Sequence, residues 1–192
     1  MGQRLNIEIC NSTRTLANAY YHWGAYTDCA LEYTAEIIDA YHNLSDQITD
    51  ELQLAVKLLE VTGAGITDEE KEEIKHDPDF DFSDINFSPA IDRNEGLLAV
   101  TEKGMEETRS WEEGRVTINI EEANFCFDVV SYYDKDEYVE DYGVKSLSKL
   151  TQIDHNFFLD YLPFEKISWL REFVKNNPTG VIMNSCVINW IE

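Results

Sequence analysis

Residues 5–23, LNIEICNSTRTLANAYYHW, decide the class of fold. Leu5, Ile7 and Ile9 alternate with Asn6 and Glu8, the period of two that sends successive side chains to opposite faces of a strand. Asn11, Ser12 and Thr13 supply turn chemistry, because short polar side chains bond to their own backbone. Thr15 to Trp23 then resumes in extended, aromatic-rich form. Two antiparallel strands joined as a hairpin are the expectation.

Outward from this hairpin the pattern changes period. Tyr26, Ala30, Tyr33, Ile37, Tyr41 and Leu44 fall on one helical stripe, and Ile48, Leu52, Ala55, Val56 and Leu59 predict a second helix that stops at Gly63 and Gly65. Thr67 and Glu70, in T-D-E-E, have the spacing of a capping box and open a short polar helix through about Lys75. These helices are expected to pack on one face of the sheet. Residues 77–95, DPDFDFSDINFSPAIDRNE, follow neither period and hold two of the four prolines, which predicts a long ordered acidic loop rather than a linker. Its Phe80, Phe82 and Phe87 argue that it packs on something. Strands are predicted at Leu97 to Thr101, Arg115 to Glu121 and Phe125 to Tyr133, the last two close enough for a hairpin. Glu102 to Gly114 reads either as a continuing strand and turn or as a short helix, the helix weakened by Gly104. A helix from about Pro163 to Lys175 and a strand over Val181 to Ile191 complete the chain. The expectation is a single α+β domain over 1–192, with a mainly antiparallel sheet of about five to six strands and three to four helices packed against it.

Charge narrows function. The chain has 192 residues with 38 acids against 15 bases, a formal net charge of −23. Phosphate recognition needs Lys and Arg, so direct binding to nucleic acid or anionic lipid is excluded as an expectation, and a basic protein partner is favoured. No apolar run reaches the roughly 18 residues of a membrane span, and MGQRLNIEIC lacks the layout of a signal peptide, so a cytoplasmic protein is expected. Spread evenly over a globule of this size, the charge amounts to roughly one per 400 Å², against about one per 110 Å² on duplex DNA. Nucleic-acid mimicry therefore requires clustering. Asp68 to Asp84 holds nine acids against two bases, and Asp134 to Asp141 five against one.

Both clusters interleave acid with aromatic. In the first, Asp77, Asp79, Asp81 and Asp84 alternate with Phe80 and Phe82; in the second, Asp134, Asp136, Glu137, Glu140 and Asp141 surround Tyr138. Extended chain sets alternate carboxylates about 6.6–6.8 Å apart, comparable to phosphates along a single strand, with the aromatics available as apolar contacts on a partner. Solvated acidic loops are the plainer alternative. An EF-hand is not supported, because Phe82 stands where the loop needs Gly and Ser88 where it needs the bidentate Glu.

Cys10, Cys29, Cys126 and Cys186 form no C-x-x-C pair and are expected as small buried hydrophobes, and His22, His42, His76 and His155 are equally dispersed. No metal site or cofactor is therefore predicted. Nucleophile-elbow, phosphate-loop, dinucleotide and zinc-protease signatures are all missing from the sequence, which reads as no enzyme. One elbow invites a different use. Tyr20, His22, Trp23 and Tyr26 gather around Gly24 where a strand hands over to a helix, and would line a small-ligand or metal-binding pocket, although such aromatics more often serve packing.

GQRLNIEI, LANAYYHWGAYT and LLAVTEKGMEETRSWEEGRVTINI resemble a group of small acidic proteins carried by phages and prophages of Gram-positive bacteria. The resemblance implies a phage setting inside a bacterial host, where small acidic proteins block nucleic-acid-binding defences such as CRISPR nucleases or restriction enzymes. The leading expectation is an anti-defence (anti-CRISPR-type) inhibitor acting as a DNA mimic on a basic surface. The alternatives are a sequestering protein or enzyme built on the aromatic elbow, and a structural protein that self-associates, as a homodimer, through the terminal strand VIMNSCVINW.

Overall fold

Asn11 makes the first turn. Its Oδ1 accepts from the backbone N–H groups of Thr13 and Arg14, 2.9 Å each, and from the Thr13 hydroxyl at 2.8 Å. The strands it joins, β1 (Leu5–Cys10) and β2 (Thr15–Tyr21), pair antiparallel with Leu5 opposite Tyr21 and Ile9 opposite Ala17, as the alternation predicts. The computed structural model describes residues 4–24, 27–78, 85–91, 96–121, 124–134 and 181–191.

The helices follow their caps. α1 (Thr27–Leu44) and α2 (Glu51–Glu60) carry the two predicted stripes, and Asp50 caps α2 by accepting from Gln53 N–H at 2.7 Å. After Gly63, whose φ of 84° is the left-handed region, the chain enters β3 (Gly65–Ile66), then α3 (Asp68–His76). β4 (Leu97–Ala99), α4 (Glu102–Arg109), β5 (Gly114–Asn119), β6 (Asn124–Asp134) and β7 (Val181–Ile191) complete the described elements. α4 settles the open reading of 102–114 as a helix. The expected helix at about Pro163 to Lys175 lies outside the described residues. None of the described helices is long and apolar enough to cross a membrane.

The fold is α+β, but the sheet is mixed rather than mainly antiparallel. Its order is β3-β4-β2-β1-β5-β6-β7. Contacts β1–β2, β2–β4 and β5–β6 are antiparallel; β1–β5, β3–β4 and β6–β7 are parallel. Side-chain alternation reports which face a residue takes but not which way its neighbour runs, and direction follows from the connections. Short connections in the sequence go with antiparallel β1–β2 and β5–β6, whereas β5 reaches β1 only after crossing back through α4. The seventh strand, β3, is two residues long and leaves no periodic trace. It is extended by Pro89, which bridges Ile66, with Ala90 N–H donating to Ile66 O at 2.9 Å. The long loop thus contributes to the sheet margin, and its Phe87 packs on the core.

The two faces of β1 are chemically opposite. Leu5, Ile7 and Ile9 are fully buried with Ala17, Ala19, Tyr21, Leu98, Val116 and Ile118, under Ala30 and Ile37 of α1 and Ala55, Val56, Leu58 and Leu59 of α2. Each aliphatic side chain so buried contributes about 1.5–3 kcal/mol. Asn6 and Glu8 point the other way and meet α4. Asn6 and Asn18 are 0% exposed. Asn6 Nδ2 donates to Thr108 O at 3.1 Å and to Glu112 Oε2 at 3.0 Å; Asn18 Nδ2 donates to Asn6 Oδ1 at 3.1 Å; the Thr108 hydroxyl donates to Asn18 Oδ1 at 3.0 Å. Beside them Arg109 Nε donates to Glu8 Oε1 at 2.6 Å and its Nη2 to Thr15 Oγ1 at 2.8 Å. Helices therefore cover both faces, α1 and α2 the apolar one and α4 a buried polar one; the expectation that the helices share one face holds for α1 and α2 but not for α3, which lies beside α4. Cys10, expected as buried, is half-buried, its thiol on Ile118 O at 3.5 Å.

Asn18→Ala is expected to lower stability by about 1–3 kcal/mol, because Asn6 Oδ1 loses its donor in a buried layer, while the Thr108 hydroxyl keeps Met105 O at 3.0 Å and Gly104 O at 3.2 Å as acceptors. Urea denaturation should show a lower midpoint at unchanged slope. A change within about 0.5 kcal/mol would mean that the layer is not a stabilising unit.

Candidate functional site

Thr67 caps α3 as its sequence predicts, its Oγ1 accepting from Glu70 N–H at 3.1 Å. The other half of the box is redirected. The Glu70 carboxylate, buried, goes to the next element: Oε1 accepts from Val100 N–H at 2.8 Å and Thr101 N–H at 2.7 Å, and Oε2 from the Thr101 hydroxyl at 3.1 Å. Thr101 is itself the N-cap of α4, its Oγ1 accepting from Gly104 N–H at 3.1 Å. Glu70 therefore does for α4, from another helix, what a capping-box Glu does within its own, and it places a negative charge at the positive end of the α4 dipole. A Cβ at position 104 would run into this carboxylate. Gly104, which as a sequence feature weakens the helix, is what lets α3 and α4 meet.

Joined by that clamp, α3 and α4 flank a groove of about 610 Å³. Leu97 and Ala99 of β4 line it together with Ala90 and Ile91, and Glu69, Glu73, Lys103, Glu107 and Trp111 stand along its sides. Lys103 Nζ reaches Glu73 Oε1 at 2.5 Å, and Glu73 holds the lysine above its ordinary pKa by hydrogen bond and charge. The cations of α3 are turned toward its own acids, Lys71 to Asp68 at 3.3 Å and Lys75 to Glu72, whose carboxyl the bonded Lys75 holds below the usual range. Over residues 68–77 and 102–109 there are nine carboxylates and four cations. Apolar groups are exposed within this acid: Ile91 is 83% exposed and Trp111 40%.

The elbow joins the groove through Trp111. Tyr20 meets the Trp111 ring edge-on at 5.5 Å, its hydroxyl lies 3.2 Å from His22 Nδ1, and His22 meets Trp23 at 5.2 Å with the rings nearly perpendicular. Trp23 is 47% exposed. Tyr20, His22 and Trp23, three of the residues expected to line a pocket, form an aromatic run with Tyr20 buried beneath and Trp23 outermost. Tyr26 lies outside the described residues. Tyr21 faces the core, stacked on Tyr33 at 4.5 Å with its hydroxyl on Thr62, and burial pushes its pKa above the ordinary range.

Of the acidic segments, Asp77 is the C-cap of α3, its N–H on Ile74 O at 3.2 Å, and Asp134 ends β6. Asp79, Phe80, Asp81, Phe82 and Asp84 lie outside the described residues, as do Asp136, Glu137, Tyr138, Glu140 and Asp141. β6 stands four strands from β4, about 19 Å at ordinary sheet spacing. The acids that join α3 in space are Glu102, Glu106 and Glu107 of α4, which sequence reasoning missed. Their i, i+4 spacing in EKGMEETR is helical, but Gly104 masked it. Among the described residues no cluster of three or more His, Cys, Asp or Glu is arranged to hold a metal ion.

Gly104→Ala, which in an exposed helix interior gains about 1 kcal/mol, is expected to destabilise this chain by displacing the Glu70 carboxylate. Glu70→Ala should cost about 1–3 kcal/mol through the orphaned Val100 and Thr101 N–H groups. In the double variant Gly104→Ala should become neutral or stabilising, and a denaturation cycle with no coupling between the two sites would refute the clamp. No protein-family model, curated protein or solved structure matches this chain, whose candidate site is defined by its own chemistry.

Proposed function

We propose that the chain is a binding protein of phage type that inhibits a bacterial nucleic-acid-binding defence protein, such as a CRISPR nuclease or a restriction enzyme, by occupying its basic surface. The observation that supports this reading is the α3–α4 face, where exposed carboxylates from two helices surround exposed Ile91 and Trp111. Charge of this sign steers a basic partner into contact, and desolvated apolar side chains at the centre of an interface supply the larger part of its energy. DNA-like spacing of charge is not required. The resemblance to phage-borne acidic proteins supports the setting, and the net charge of −23 supports a partner that is itself basic. A second reading, self-association, is favoured by β7: it stands at one end of the sheet order, and Val181–Ile191 contains no charged residue to discourage pairing. Sedimentation over a range of concentrations separates a monomer from that dimer.

The inhibitor reading is tested by titrating the protein into a purified CRISPR nuclease or restriction endonuclease holding labelled duplex DNA. DNA should be displaced, and less effectively as salt is raised and the charges are screened over about 8–10 Å. Glu69→Lys, Glu106→Lys and Glu107→Lys together should weaken displacement by about tenfold or more. Effectors that keep their full DNA affinity at saturating protein would sink the reading.

A further inference from the structure

We propose that the groove between α3 and α4 is a docking site for a cationic and apolar segment of the partner protein, one in which Lys or Arg alternates with a large aliphatic or aromatic side chain. The inference rests on the reading above that the partner is a basic protein, and adds which part of this chain grips it and by what.

The groove selects its occupant by two properties that work against one another. Its floor, Leu97 and Ala99, is apolar, and Ile91 and Trp111 leave more apolar surface in water beside it. Withdrawing such surface from water favours binding. An apolar side chain is therefore wanted in the centre. The walls exclude a wholly apolar guest, because Glu69 from α3 and Glu107 from α4 would lose hydration with nothing in return. Nucleic acid and acidic peptides are repelled by the same carboxylates. Among the described residues the one cation on the walls is Lys103, which is engaged by Glu73 and so does not invert the local sign. A segment that is only basic satisfies the walls but leaves Ile91 and Trp111 wet. Charge complementarity at the rim and apolar contact at the floor are met together only by a mixed segment. A volume of about 610 Å³ suits a few side chains of an extended or helical segment rather than a folded domain.

The groove is prebuilt. Glu70 fixes the approach of α3 to α4, so binding need not order the two helices, and that lowers its entropic cost.

The test uses the whole chain and two short labelled peptides of equal charge, one alternating Lys with Leu and one alternating Lys with Ser. Fluorescence anisotropy should give the Lys–Leu peptide about tenfold tighter binding. Ile91→Ser, an exposed change that leaves the core intact, should erase that difference. Glu69→Lys with Glu107→Lys should weaken the Lys–Leu peptide by about tenfold, whereas Asp39→Lys with Asp46→Lys, the same charge change in and just after α1, should leave it within about twofold. Equal binding of the two peptides, or equal sensitivity to both charge pairs, would show attraction to overall charge and overturn the proposal. So would a dimer of this chain that dissociates on Ile91→Ser, since a second copy would then own the groove. The inhibitor reading fails separately: if Ile91→Ser displaces DNA from the effector as well as the parent chain does, the groove proposal falls and inhibition stands. If the peptide difference holds while the parent displaces no DNA, the reverse is true.

Discussion

A carboxylate withdrawn from water is tolerated only when donors surround it, and Glu70 has three: two backbone N–H groups and a hydroxyl, all from the segment that begins α4. Desolvation is offset by charge-assisted hydrogen bonds and by the field of the α4 N-terminus. What depends on this contact is more than local stability. It sets the separation of α3 and α4, and so creates the groove; it fixes where α4 starts, and α4 carries Thr108 and Arg109 onto the polar face of the sheet. The chain from Glu70 to Thr101, from α4 to Thr108, and from Thr108 to Asn18 and Asn6 is a continuous run of satisfied polar groups. A break in it leaves several donors and acceptors without partners at once.

The opening hairpin was legible in the sequence because its information is local: alternation in Leu5–Cys10, an Asn-Ser-Thr turn, and alternation again. α1, α2 and the Thr67 cap were legible for the same reason. What failed to show were relations between distant segments. Alternation put Asn6 and Glu8 on the face opposite Leu5, Ile7 and Ile9 but did not show that this face too is buried, under α4. Glu70 read as half of a local box, yet its partner is Thr101, and only proximity in space makes Gly104 necessary. Strand direction was misjudged where a crossover decides it. Trp111 carried no signal of its own; it matters because Tyr20 and Ile91 come near it in the fold and along the groove.

The same contrast applies to charge. Counting along the chain picked out 68–84 and 134–141, whereas folding adds the acids of α4 to those of α3 and sets β6 four strands from the β4 floor of the groove. Acid density on the α3–α4 face therefore exceeds what either segment supplies alone. The described cations of this face are bound to neighbouring carboxylates, in pairs too exposed to stabilise the fold appreciably.

The parallel pairing of β1 with β5 carries a consequence in time. β2 follows β1 at once and closes with it as a local hairpin, but Leu5 must wait for Gly114 and Ile9 for Ile118. At ordinary rates of synthesis, about 5–20 residues per second, the second flank of β1 emerges several seconds or more after the strand itself. During that interval Leu5, Ile7 and Ile9 have one neighbour, an open edge and, at first, no helix above them. Such contacts between distant segments carry loop-closure entropy and slow the final collapse. The strand at the centre of the finished sheet is thus the part of the nascent chain most in need of early cover, and α1 and α2, which come next in order, are placed to provide it.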